Sequence, residues 1–166
     1  MLTRTISLAF GLLGALVGAQ LPEIMQQYQQ RLGGATDEVA AIIERFDADA
    51  IANRLSRTEA VAKLQASTDD LVRRRGSDME TIIERFESLS QQREGMSGGY
   101  LARAAYFLTH ADGVLLNDTL EDYRPAVPTT AEGIFSALVG FVIGWSIVRF
   151  IAWPFQRWRE MRRRHA

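Results

Sequence analysis

Two stretches without charge stand towards opposite ends of the chain, and between them apolar and polar positions follow a helical period. Thr5 to Pro22 is eighteen residues free of charge, and Gly133 to Val148 is sixteen. If Arg149 snorkels, the second apolar run reaches Phe155. A helix of about 20 apolar residues crosses the hydrocarbon core of a bilayer. The pattern therefore predicts two transmembrane helices, over 5–22 and 131–154. A short basic region, an apolar run and the small residues Val17-Gly18-Ala19 also describe a cleavable signal peptide. The length rule favours a retained anchor.

Both apolar stretches carry small residues at fourfold spacing. Ser136, Gly140 and Gly144 form one ridge, and Ser7 with Gly11 and Gly14 with Gly18 provide counterparts in the first segment. Lipid gives apolar helices no hydrophobic reason to associate, so close backbone approach over small residues is what holds them. These seven residues are the expected packing positions, within one chain or between copies.

The middle of the chain reads as short helices. EIMQQYQQRL is a helical stretch that Gly33-Gly34 should stop, after which Thr36 caps a helix with apolar positions Val39, Ile42, Ile43 and Phe46. Ser56 with Glu59 spells a capping box, and Thr68 or Asp69 starts another short helix ending near Gly76. Ser77 with Glu80 spells a second box, opening a helix with Ile82, Ile83, Phe86 and Leu89. Ile42 to Asp47 and Ile82 to Glu87 are near copies, so Ile42, Ile43, Phe46, Ile82, Ile83 and Phe86 are the expected core of two helices that pack on each other. Gly95, Gly98 and Gly99 break the chain before helices over 100–111 and 113–123. Pro125 and Pro128 mark a stiff linker, and Thr129 or Thr130 caps the last helix. No segment alternates with period two.

Charge supplies the orientation. Between Pro22 and Ala131 stand 18 Asp and Glu against 12 Lys and Arg, whereas the residues from Phe155 onward carry five Arg and one Glu. By the positive-inside rule both termini are cytoplasmic and the acidic middle is periplasmic. Arg149, Trp153 and Trp158 fit interface anchors, and Pro154 should loosen the helix there. Arg157, Arg159, Arg162, Arg163 and Arg164 suit contact with anionic lipid headgroups rather than nucleic acid. The expected architecture is an all-α membrane protein: residues 1–4 cytoplasmic, a span over 5–22, a small periplasmic helical bundle over 23–124, a linker over 125–130, a second span over 131–154 completing a hairpin topology, and a basic tail over 155–166.

Candidate chemistry is sparse. The chain has no Cys, which removes thiol nucleophiles and cysteine metal sites. His110 is the one histidine outside the tail, and it reads as a helix-end cation beside Asp112 rather than a catalytic base. Asp47 and Asp49 resemble the opening of a calcium loop, but Ile51 breaks it. The carboxylates Glu44 and Glu84 read as solvated helix flanks, and Arg73 to Arg75 suit a phosphate or a partner carboxylate. We expect no catalytic residue, cofactor or metal.

The segments LPEIMQQYQQRLGGATDE, RFDADA at 45–50, RRRGSDM at 73–79 and RPAVPTTAEG at 124–133 give the chain a further reading. In them it resembles a family of uncharacterised proteobacterial inner-membrane proteins, a domain-of-unknown-function group. That resemblance implies the architecture and assigns no activity or site. The expected role is a non-enzymatic accessory or scaffold subunit of a larger envelope or respiratory-type complex. Its partners would be membrane lipids and other membrane-protein subunits or copies of itself, with no nucleic acid or small-molecule substrate. A homo-oligomeric regulator of envelope polymer assembly or transport shares the layout.

Overall fold

Period-3.6 patterning without strand signals gives an all-helical chain: six α-helices and, among the described residues, no strand. The computed structural model describes residues 2–125, 127 and 129–164, and of Leu2 and 154–164 the backbone alone. The helices are α1 (Leu2–Ala52), α2 (Arg57–Gln65), α3 (Asp70–Gly95), α4 (Tyr100–His110), α5 (Gly113–Glu121) and α6 (Ala131–Arg164). They form two compact units, one made of the chain up to Gln27 and from Leu120 onward, the other of Tyr28–Thr119.

Several expected breaks do not occur. Pro22 lies inside α1, as do Gly33 and Gly34, so the predicted stop at Gly33-Gly34 is wrong. Thr36 is no cap; buried mid-helix, its hydroxyl donates to the Leu32 carbonyl at 2.7 Å. A glycine costs a helix only about 1 kcal/mol relative to Ala, which an uninterrupted apolar stripe outweighs. That stripe runs through Met25, Tyr28, Leu32, Thr36, Ile43 and Ala50, all buried. Gly76 and Ser77 likewise lie inside α3, so the second capping box does not form. α6 continues through Pro154 to Arg164.

The true ends have caps. α1 closes on Arg54, a left-handed residue (φ 59°), with the Leu55 N–H on the Ala50 carbonyl and the Arg54 N–H on the Ile51 carbonyl, both 2.9 Å. This is a Schellman motif with Arg where Gly is usual. At α2, Ser56 Oγ accepts from the Glu59 N–H at 3.3 Å while the Glu59 carboxylate accepts from the Ser56 N–H at 2.8 Å, completing the first capping box. The Asp69 carboxylate caps α3 through the Leu71 N–H at 2.8 Å. The Thr130 hydroxyl accepts from the Gly133 N–H at 3.1 Å at the start of α6.

Within the Tyr28–Thr119 unit, α2 packs on α3 at Gly76, where an added Cβ would stand 2.8 Å from the Gln65 backbone nitrogen. Gly76 is thus a contact, not a stop. α3 then brings its last turns back to α1: Gln92 meets Tyr28, Arg93 meets Asp37 at 2.9 Å, and the Gln29 amide donates to the Met96 carbonyl at 2.9 Å. Of the six residues in the near-repeat, Ile43 is buried and Ile42, Phe46, Ile82, Ile83 and Phe86 are half-buried.

Candidate functional site

The unit containing α6 is organised by its smallest residues. A Cβ built on Gly14 would lie 2.2 Å from the Gly140 carbonyl oxygen, and one on Gly140 would lie 2.1 Å from that of Gly14. Gly18 meets the Ser136 carbonyl in the same way at 2.4 Å, and Gly144 meets that of Phe10 at 2.3 Å. Since numbers rising along α1 fall along α6, the helices run antiparallel. Real Cβ atoms do not come within 3 Å of such oxygens, so all four positions admit glycine alone. Gly11 lies under the Phe141 ring, 2.7 Å from where its Cβ would be. Ser7 is fully buried, its hydroxyl donating to the Thr3 carbonyl at 2.8 Å, and Ser136 is buried as well.

Around this contact the large apolar side chains point away. Leu8, Leu12, Leu13, Leu16 and Val17 on α1 and Ile134, Leu138, Val142, Ile143 and Phe150 on α6 are all exposed. Only 17% and 6% of the two most apolar windows are buried, far from what the core helix of a water-soluble protein shows. Both helices are long and apolar enough to cross a membrane. Arg149 places its guanidinium over the Trp145 ring, 5.2 Å from the centroid, while Trp153 is exposed. The side chains of Trp158, Arg157, Arg159, Arg162, Arg163 and Arg164 lie outside the described residues, as do Ala126 and Pro128 of the linker. Near the apolar part of α1, the Tyr123 hydroxyl donates to Gln20 Oε1 at 2.6 Å, and its pKa is raised by burial and then by the Glu23 charge.

The other unit holds a polar network centred on Tyr28, which is 1% exposed. Its hydroxyl donates to Gln92 Oε1 at 2.7 Å and accepts from the Asp112 N–H at 2.8 Å, and its ring meets Phe107 edge-on at 5.2 Å. Burial pushes the phenol above its ordinary value. The Asp112 carboxylate takes the Arg85 guanidinium at 2.6 Å and caps α5 through the Val114 and Leu115 N–H groups at 3.1 and 3.0 Å. Arg85, followed by burial in opposition and the Leu115 bond, leaves it below the ordinary carboxylate range. One phenol and one carboxylate thereby join α1, α3 and the α4–α5 turn. Each of their groups is engaged in holding these elements together.

The remaining sequence candidates are dispersed. Asp47 holds Arg57 by two bonds, Nε to Oδ1 at 2.7 Å and Nη2 to Oδ2 at 2.5 Å, and that pairing lowers its pKa. Glu44 and Glu84 are exposed. Arg73 pairs with Asp70 one turn earlier, while Arg74 and Arg75 are exposed. His110 ends α4 stacked on Tyr106, centroids 4.6 Å apart, and Asp112 answers to Arg85 instead. Among the described residues no three His, Asp or Glu gather as a metal site would require.

Sequence reading overlooked Tyr28, Arg85 and Gln92. The stripe Met25, Tyr28, Leu32, Thr36 carries a signal for the first of them, which a stop at Gly33 hides. Gly95, expected as a break, is a contact: the Tyr106 ring lies 2.3 Å from where its Cβ would stand.

No curated protein and no solved structure matches the chain significantly. The profile of a family described as "Protein of unknown function (DUF2937)" matches residues 2–160. That covers almost all of both units, and the chain belongs to the DUF2937 family.

Proposed function

We propose that the chain is a bacterial inner-membrane protein whose two spans, the apolar part of α1 and α6, form a hairpin. In this reading both termini are cytoplasmic, the Tyr28–Thr119 unit is periplasmic, and the protein acts without catalysis as an accessory or scaffold subunit of a larger envelope or respiratory-type complex. The observation that carries it is the distribution of side chains around the glycine contact. Two apolar helices meet backbone to backbone and turn their leucines, isoleucines and valines outward, which water would penalise and hydrocarbon accepts.

What supports a scaffold role is how the polar groups are used. Tyr28, Asp112, Arg85 and Asp47 are each engaged in holding helices together, leaving a rigid helical unit rather than a reactive cleft. Purification of the tagged protein from membranes in mild detergent tests the reading. Stoichiometric co-purification of another membrane protein is expected, and a lone monomer would count against it. The homo-oligomeric regulator is a second reading, favoured by the surface described next. A closed oligomer by native mass, together with altered surface-polymer length on deletion, would select it.

A further inference from the structure

At the corner where α1 gives way to α2, a cavity of about 580 Å³ opens on the surface of the Tyr28–Thr119 unit. Phe46, Leu55, Leu64 and Val72 form its apolar wall, and Asp49 and Lys63 are its charged residues. Ile51 and Leu71, each next in sequence to a lining residue, are 72% and 68% exposed. Two large side chains in water beside an apolar trough make a patch of the kind that marks an interaction surface.

Several charges nearby have partners inside the chain, while Arg54, exposed between the lining residues Asn53 and Leu55, has no ion pair among the described residues. Asp47 holds Arg57, Glu59 is bound by Ser56 in the capping box, Asp70 holds Arg73, and Glu80 accepts from the Gln65 amide at 2.8 Å. By contrast, the Asp49 carboxylate and the Lys63 ammonium make no hydrogen bond or ion pair among the described residues, although both line the cavity. Lys63 is the sole lysine of the chain.

We propose that this corner is a contact between two copies of the chain, related by a twofold axis. A patch bearing a free anion in Asp49, free cations in Lys63 and Arg54, an apolar trough and exposed apolar side chains is complementary to itself. Lys63 of each copy faces Asp49 of the other, and the exposed Ile51 and Leu71 gain a trough to enter. A small zwitterion would satisfy Asp49 and Lys63 but leave Ile51 and Leu71 in water, so the second copy accounts for more of the surface. The contact lies wholly within the Tyr28–Thr119 unit and does not depend on the membrane reading.

Charge reversal on the full-length protein in mild detergent tests it. Wild type should have the mass of a dimer. Lys63→Glu and Asp49→Lys, both at exposed positions, should each oppose like charges and raise the dimer Kd at least about tenfold with the helical content unchanged. The double reversal should restore association. A monomeric wild type, a dimer indifferent to both single changes, or a double variant no tighter than the singles would overturn the proposal. Because the chain has no Cys, co-expressed Asp49→Cys and Lys63→Cys copies with different tags give a second readout. A short bifunctional thiol crosslinker should join the two differently tagged copies, and failure to crosslink them in folded protein contradicts the contact.

Discussion

In the unit that includes α6, the buried positions include Ser7, Gly11, Gly133 and Ser136, while Leu8, Leu12, Leu13, Leu16, Leu138, Phe10, Phe135 and Phe150 face out; in the Tyr28–Thr119 unit, Tyr28, Leu32, Leu89, Phe107 and Leu115 are buried and most charged residues face out. The same chain thus uses two opposite packing rules. Where the surroundings are water, burying large apolar side chains supplies the stability, about 25 cal/mol per Å². Where they are hydrocarbon that term vanishes, and backbone proximity over small residues takes its place. The contrast argues for two solvents more strongly than the length of either apolar run does.

The contrast is broken most severely at the glycine contact. Replacing Gly140 and Gly144 together with Leu should cost about 3 kcal/mol or more, because the groups in the way are backbone carbonyls that cannot yield. Spin labels on Leu16 and Val139 should move apart while the protein stays in the membrane fraction. An unchanged distance would make the two helices independent anchors.

In the other unit the corresponding weak point is a hydroxyl. Tyr28→Phe leaves the Asp112 N–H and Gln92 Oε1 without their partner and should destabilise by about 1–3 kcal/mol in denaturant titration. Asp112→Asn keeps a residue able to cap α5 but loses the charge facing Arg85, for about 1–2 kcal/mol, since the Arg85 side chain is 40% exposed and partly screened. The sign of its pH dependence is fixed. The folded carboxylate titrates below its ordinary 3.8, so its stabilisation is complete above that value and fades as pH falls through the depressed pKa. The variant should have a flatter stability curve below pH 3.8 than wild type, as read by thermal midpoints.

The smallest effect has the opposite sign. A Cβ on Gly33 or Gly34 would meet nothing within 4 Å, and neither residue has a positive φ. Gly33→Ala and Gly34→Ala should each therefore stabilise by about 1 kcal/mol. A loss in either would show that bending of α1 there is part of the native state.

The glycines also show how far the sequence could be read. Gly14, Gly18, Gly140 and Gly144 announced themselves through fourfold spacing in uncharged runs, and each stands at a backbone contact. Gly76 and Gly33 lack that spacing and resemble stops, though one is a packing contact and the other mere helix interior. A single glycine carries no local mark that separates these cases. The Ser56–Glu59 box was legible because its bonds span three residues, and the otherwise similar Ser77–Glu80 pair failed because a helix already running through Gly76 leaves no free N–H groups there. Tyr28, Gln92 and Asp112 meet across 64 and 84 residues, a distance over which periodicity is silent.

The account rests on two solvents and a side for each terminus. The chain has no Cys, so single cysteines at exposed Ser88 and at Ala166 can report the sides in cells whose outer membrane has been permeabilised. A membrane-impermeant thiol reagent should label Ser88→Cys and spare Ala166→Cys until the inner membrane is opened. Labelling of the Ala166 variant alone in intact inner membranes, or of both variants alike, would contradict the proposed hairpin.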